Sequence, residues 1–340
     1  MLELDGSIGG GQILRSALAL SAITGTPFRM TAVRSQRRTP GLRPQHLACV
    51  RVMEQACNAS VSEVAVGSEE LTFKPGRVEG GQLEIDIETA GSTTLLFDTL
   101  LPLVTVLDRS LAITVRGGTD VRWSPPIDYY RHVKLPLCRQ LGVRAALEVD
   151  RTGFYPAGGG RATLWLSPSN IEPIDRTDRG KRTGVRTYSK ASADLRAREV
   201  AERQDAAAVD RLESIDVPVR ERTVTYVRTE SLGSVILVRF DYEHSIAGFS
   251  ALGERGLPAE EVGASAVELA AQFERETAVV DEHMADQLVL FLALAGGRIR
   301  IPRVTEHVES SVELVSTFGL DVSIERPSAG PELSGRGRHG

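Results

Sequence analysis

Gly80-Gly81-Gln82-Leu83-Glu84-Ile85-Asp86-Ile87 is a glycine pair followed by strict apolar–polar alternation. That pattern marks a half-buried strand leaving a glycine turn. It recurs twice. Gly159-Gly160 leads into Ala162, Leu164 and Leu166, and Gly296-Gly297 leads into Ile299 and Ile301. The second pair follows the first by 79 residues and the third follows the second by 137. A repeated unit of about 80 residues, with extra sequence between the second and third copies, accounts for both intervals.

Helical patterns fill the space between these strands. Gln12 to Ile23 is apolar on one face and stops at Gly25 and Pro27; Pro44 to Cys57 carries Leu47, Val50 and Met53 on one stripe. Asp128 to Leu141, Pro258 to Phe273 and Glu282 to Ala295 follow, and Val308 to Phe318 ends at Gly319, a helix stop. The extra sequence begins in the charged, Gly- and Thr-containing stretch Asp175 to Arg186. It holds a polar helix at Asp194 to Ser214 and strands at Thr223 to Val227 and Val235 to Phe240. The expected organisation is an α/β (α+β) protein: a large repeat domain from residues 1–179 and 276–326, and a small inserted α/β domain at 180–275. The Pro-, Gly- and Ser-rich end, 327–340 with His339 in it, is expected to be a disordered tail.

With 340 residues and 41% hydrophobic residues the chain suits a globular protein of roughly two domains. The apolar run Leu288 to Gly297 is far short of the roughly 18 residues of a membrane span. The acidic start Met-Leu-Glu-Leu-Asp offers no basic signal-peptide region. Cys49, Cys57 and Cys138 are odd in number and form no CxxC, which excludes a disulfide scaffold and a cysteine zinc site. A reducing compartment, the cytoplasm, fits, with no membrane partner. P-loop, lysine-ligase KxDG, nucleophile-elbow and HExxH patterns do not occur.

Charge is concentrated. The net charge is −5, yet residues 1–50 hold Arg15, Arg29, Arg34, Arg37, Arg38 and Arg43 against only Glu3 and Asp5. Guanidinium forks match phosphate oxygens, so a local excess on an acidic chain points to a discrete anion site. Two stretches supply it. Gly9-Gly10-Gly11-Gln12-Ile13-Leu14-Arg15 sets glycines directly before a helix, where backbone N–H groups can approach an anion. Arg34-Ser-Gln-Arg37-Arg38-Thr-Pro40-Gly41-Leu-Arg43-Pro44-Gln45-His46 flanks a Pro-Gly turn with four arginines and a Gln-His pair. Among the histidines, His307 begins the helix at Val308. A helix start disfavours imidazolium and favours phosphate, the setting a nitrogen nucleophile needs.

Taken in order, D-G-S-I, G-G-G-Q-I-L-R, R-x-x-R-x-x-P-G-L-R-P-Q-H-L, A-G-S-T-T-L-L, G-G-T-D-x-x-x-S-P-P-I-D-Y, G-F-Y-P-A-G-G-G, A-D-Q-L-V-L-F-L-A-L-A and V-T-E-H resemble the RNA 3′-terminal phosphate cyclase family over about residues 2–325. The resemblance implies two-helix, four-stranded-sheet units with a small α/β insert. It implies an ATP-dependent ligase that makes an RNA 2′,3′-cyclic phosphate through a histidine–AMP adduct and an RNA adenylate. Its partners would be ATP and RNA bearing a 3′-phosphate, with a divalent cation, Mg²⁺ or Mn²⁺. His307 matches the nucleophile. Gln12, Arg15, Arg34, Arg37, Gln45 and His46 match phosphate- and RNA-handling positions, and Asp286, Gln287, His283, Pro125 and Asp128 match positions near the nucleotide.

Three positions depart from the family pattern. Ile8 precedes Gly9 where a metal-associated glutamate is usual, and Asp5, the nearest carboxylate, does not align with it. His283 stands for a tyrosine and Asp98 for a glutamine. The metal ligands are therefore unassigned. A cyclase-like RNA-end-binding or assembly protein of weakened chemistry remains the alternative, and an enolpyruvyl transferase of related architecture is a more distant one.

Overall fold

The computed structural model describes residues 1–338. Three four-stranded sheets follow one plan. The first unit runs β1 (Leu2–Asp5), α1 (Gly10–Thr24), β2 (Phe28–Thr31), α2 (Pro44–Ala56), β3 (Ser60–Val61) and β4 (Leu71–Lys74). The second runs β5 (Gly81–Asp86), α3 (Thr93–Leu100), β6 (Leu111–Gly117), the short helices α4 (Ile127–Tyr129) and α5 (Leu135–Arg139), β7 (Arg144–Arg151) and β8 (Gly160–Ser167). The third opens with β9 (Ile174–Arg176).

Before the third unit resumes, the chain makes another sheet. It consists of β10 (Arg182–Ser192), α6 (Val200–Glu213), β11 (Glu221–Val227), β12 (Ser234–Tyr242), β13 (Ile246–Leu252) and α7 (Ala259–Glu274). The third unit then continues through α8 (Glu282–Ala295), β14 (Gly297–Arg300), α9 (Glu306–Thr317), β15 (Val322–Glu325) and β16 (Glu332–Gly335).

Strand orders are β1-β2-β4-β3, β5-β6-β8-β7 and β9-β14-β16-β15. In each unit the first two strands are parallel and the other two pairings antiparallel. The parallel step needs a crossover helix: α1, α3 and α8 respectively. The mixed α/β architecture expected from the sequence is therefore present. The first strands begin at residues 2, 81 and 174, so the repeat is real.

The glycine pairs, however, are not equivalent positions in it. They open a first strand at Gly81, a fourth at Gly160 and a second at Gly297. Two of these glycines answer a close approach instead. A β-carbon on Gly297 (φ 103°) would fall 2.1 Å from the Ile174 carbonyl oxygen, and one on Gly160 2.7 Å from the Thr119 methyl. The extra sequence interrupts the third unit after its first strand rather than separating two complete units.

The sheet β11-β10-β12-β13 carries α6 and α7 on one face. It has its own core around Val185, Ile236, Val238, Phe240 and Phe249. A larger core unites the three repeats.

Two further expectations change. The helix expected at Asp128 to Leu141 is present and continuous from Ile127 to Arg139, but its middle, Tyr130–Lys134, is a π-helical turn between α4 and α5. Pro136 has no N–H to continue an α-helical ladder. The expected disordered tail at 327–340 is corrected by β16, which lies between β14 and β15. Leu333 is fully buried, Glu332 holds Arg300 at 2.8 Å, and Ile301 N–H donates to the Pro331 carbonyl at 2.9 Å. Pro327, Gly330 and Pro331 form the turn into a strand too short to show alternation. His339 and Gly340 lie outside the described residues.

Candidate functional site

Helix α1 is apolar nearly all round, and such a helix belongs in an interior. It packs against α2, α3 and α9, one helix from its own unit and one from each of the others. Its first turn is therefore where the three units meet. The entry is tight: Gly9 (φ 68°) and Gly10 (φ 59°) both take left-handed backbone, which side chains disfavour. The closeness is used. Ser310 Oγ lies 3.1 Å from the point a β-carbon on Gly9 would occupy, Arg37 Nη2 3.1 Å from that of Gly10, and His46 Nε2 2.3 Å from that of Gly11.

His307 reaches the same place from α9. Thr305 caps that helix, its hydroxyl accepting Val308 N–H at 3.2 Å. Gln12 Nε2 donates to the buried Ser311 Oγ at 3.1 Å. Ser311 lies four residues after His307, so the imidazole sits on the same helical face one turn nearer the start. His307 is exposed there. The face of α9 that bears His307 is thus joined to the start of α1, the turn that Arg37 and His46 also approach.

His46 is fixed differently. It occupies the third position of α2, and its Nδ1 accepts the backbone N–H of Arg43 at 3.1 Å, a capping interaction that leaves the proton on Nε2. Burial, then Arg15, Arg34 and Arg43, pulls its pKa down to about 3. A neutral Nε2–H donor therefore stands among guanidinium groups. Gln45, beside it, accepts Ser92 N–H at 3.3 Å at the start of α3.

Among the described residues, Arg15, Arg34, Arg37, Arg38 and Arg43 make no ion pair with any carboxylate. Arg34 is partly consumed: its Nη1 donates to the carbonyls of Thr39 (2.9 Å) and Gly41 (2.8 Å), holding the loop. Burial, then Arg43 and Arg37, lowers its pKa. A cluster of like charges without counterions is a site prepared for an anion.

Behind the cleft, Gln12, Arg15, Asp98, Lys134, Asp286 and Gln287 surround a cavity of about 20 Å³, room for roughly one water. Lys134 is buried. It donates to Asp98 at 2.5 Å and to Gln287 Oε1 at 2.8 Å, and Gln287 Nε2 donates to Asp286 at 3.0 Å. Burial raises the Asp286 pKa; the Gln287 hydrogen bond and the charges of His283, His307 and Lys134 oppose it. Asp286 and Gln287 thus line this cavity, and the Asp98 departure is matched by a buried lysine.

The remaining expected residues, Pro125, His283 and Asp128, adjoin this cavity: His283 is one turn before Gln287 on α8, and its charge acts on Asp286. Thr94 Oγ1 donates to the Pro125 carbonyl at 2.8 Å, and His283 stands edge-on to Tyr129 with centroids 5.7 Å apart. Asp128 is engaged: Lys190 of β10 bridges it (2.9 Å) and Asp120 (3.1 Å). Burial works against the Asp128 carboxylate, but Lys190 outweighs it and leaves the pKa lowered; for Asp120, burial prevails over Lys190 and the pKa is raised.

Lys134 and Lys190 were not singled out by pattern. Their signal is rarity: in a chain of 36 arginines and four lysines, Lys134 opens the apolar run Leu135 to Cys138 and Lys190 sits among the small residues Ser189, Ala191 and Ser192.

Among the described residues no three His, Cys, Asp or Glu side chains converge on one point. Ile8 offers no side-chain oxygen, and Asp5 accepts Ser7 N–H at 2.8 Å in an exposed turn. These donors do not make a cage for a hard divalent ion.

A threefold α+β repeat whose central helix opens among arginines without carboxylate partners is suited to handling anions. A family model described as RNA 3′-terminal phosphate cyclase matches residues 7–325. A protein named RNA 3′-terminal phosphate cyclase from Halobacterium salinarum (strain ATCC 29341 / DSM 671 / R1) is 45% identical over 341 residues, covering 97% of this chain and 98% of its own. Proteins of the same name from Pseudomonas fluorescens and Pyrococcus furiosus are 39% and 38% identical, each over at least 94% of this chain and 93% of their own. The chain belongs to the RNA 3′-terminal phosphate cyclase family and is an enzyme of that class. Among the described residues no helix is long and apolar enough to cross a membrane.

Proposed function

We propose that the chain converts an RNA 3′-phosphate into a 2′,3′-cyclic phosphate with ATP, through AMP carried on His307. One ring nitrogen of His307 attacks the α-phosphorus of ATP, forming a P–N bond as pyrophosphate leaves. An oxygen of the RNA 3′-phosphate then attacks that phosphorus; the P–N bond breaks, the histidine is released and an RNA adenylate forms. The neighbouring 2′-hydroxyl attacks the RNA phosphorus, losing its proton, and AMP departs. A phosphate monoester is a poor electrophile, and adenylylation gives it a good leaving group, dividing one hard step into easier ones.

The observation that carries this reading is the Gln12–Ser311 contact at 3.1 Å, which binds the face of α9 bearing His307 to the glycine-opened start of α1. Arg37, Arg15 and the neutral Nε2–H of His46 converge on that same turn. They supply positive charge and a hydrogen-bond donor where phosphate oxygens would lie. Gln287 and Asp286, oriented through Lys134, line the cavity behind the cleft. No step is assigned to a metal ion, since the donors described above form no cage for one.

Intact mass after incubation with ATP and Mg²⁺ or Mn²⁺ tests the reading. A gain of one AMP, stable to base and cleaved by acid, is expected, with none for His307→Ala. An adduct on His307→Ala overturns the nucleophile. RNA-end binding with no adduct at any metal concentration favours the weakened, RNA-binding alternative that the missing glutamate raises.

A further inference from the structure

Trp123 is 93% exposed and takes left-handed backbone (φ 63°). Either feature is unfavourable for a large aromatic residue; together they ask for a compensating use. The surrounding loop is not loose. Ile127 N–H donates to the Thr119 carbonyl at 2.9 Å, closing it, and Ser124 Oγ donates to the Val121 carbonyl at 3.1 Å. Arg122 is ion-paired with Glu254, just beyond β13. The ring is therefore held out on a braced support.

The same loop is tied to the cleft. The Pro125 carbonyl accepts Thr94 Oγ1, and Ser92, at the head of that helix, donates to Gln45 beside His46. A second exposed aromatic, Tyr155, follows a chain bridged to this one. Asp120 and Phe154 form a parallel bridge, so the chains leading to Trp123 and to Tyr155 (73% exposed) leave it in the same direction.

We propose that Trp123, with Tyr155 on the bridged chain, is a stacking platform for a base of single-stranded RNA upstream of the 3′-terminal nucleotide. This rests on the reading that an RNA 3′-phosphate is the acceptor in the arginine cleft, and adds how the strand is held beyond its end. Aromatic faces accept any base, so the platform gives affinity without strong sequence preference. Charge favours nucleic acid as the occupant: the cleft one loop away presents guanidinium groups that lack carboxylate partners.

The chain has two tryptophans, Trp123 and Trp165. In a Trp165→Phe background, emission comes from Trp123 alone. Titration with a 3′-phosphorylated oligoadenylate, without ATP, is expected to quench it, and an abasic ribose next to the last nucleotide should reduce the quenching. Trp123→Ala should weaken RNA binding roughly five- to a hundredfold, while AMP loading from ATP stays at the wild-type level; Trp123→Phe should recover much of the affinity. Unchanged RNA affinity in Trp123→Ala, or unquenched emission at saturating RNA, overturns the proposal. Lost AMP loading with RNA binding intact also overturns it, by assigning the ring to the nucleotide. Wild-type protein that binds RNA but takes up no AMP refutes the cyclase chemistry and leaves the platform standing.

Discussion

Lowering the pH tests the electrostatics of the cleft at one residue. His46 is 8% exposed, and its pKa is held down to about 3 against an ordinary 6.5. Between these values the unfolded chain binds a proton at this position and the folded chain does not. Stability contributed by the neutral ring is complete above about pH 6.5 and is lost as pH falls toward 3. At pH 5 the gap is about 1.5 pH units, or roughly 2 kcal/mol at 1.36 kcal/mol per unit. Asparagine provides the control, because its side-chain oxygen can accept the Arg43 N–H that Nδ1 accepts, without titrating. Urea denaturation of wild type and His46→Asn at pH 7 and pH 5 should show the wild type losing about 2 kcal/mol more than the variant. His132, also held low, at about 4, is common to both chains and cancels. Imidazole resonances of wild type should show no His46 titration above about pH 4. An equal pH response in the two proteins, or a His46 titration near 6.5, would refute the desolvated, arginine-ringed setting described for the cleft.

Other outcomes follow from single contacts. Gly11→Ala places a β-carbon 2.3 Å from His46 Nε2 and 3.1 Å from Arg15 Nη1; denaturation should show a loss of about 1–3 kcal/mol, with weaker 3′-phosphate RNA binding. Lys190→Met leaves the buried Asp120 and the half-buried Asp128 without their cation and should cost about 3–5 kcal/mol in urea denaturation, part of it recovered by adding Asp128→Asn. Leu333→Ala should cost about 2–5 kcal/mol, since Leu333 is fully buried in β16; an unchanged melting temperature would restore the disordered-tail expectation. The three thiols are buried, with Cys57 raised to about 11 and Cys138 to about 12 by burial, so a disulfide reagent should label them only on unfolding.

What the sequence made legible follows from how local each cause is. α8 was placed to the residue because Asp281 caps it and Gly296 ends it, both visible in the chain. The glycine pairs marked strand starts correctly yet misaligned the repeat: a glycine answers to whatever backbone crosses it, and Gly297 answers to Ile174, far away in sequence. β16 was invisible because one buried leucine in four residues carries no period, and its partners lie in β14 and β15. In the site, arginine density and the GGGQ turn were readable because they are consecutive. The join between His307 and that turn was not, since it passes through Gln12 and Ser311, 299 residues apart. The same holds for Lys190, whose two carboxylate partners belong to the second repeat while it belongs to the inserted sheet. Cutting the Gln12–Ser311 contact should therefore move the imidazole relative to the arginines while sparing both. Ser311→Ala leaves Gln12 Nε2 unpaired in the interior, and it should slow AMP transfer from the loaded protein to RNA more than it slows loading, because only transfer requires both sides of the cleft in register.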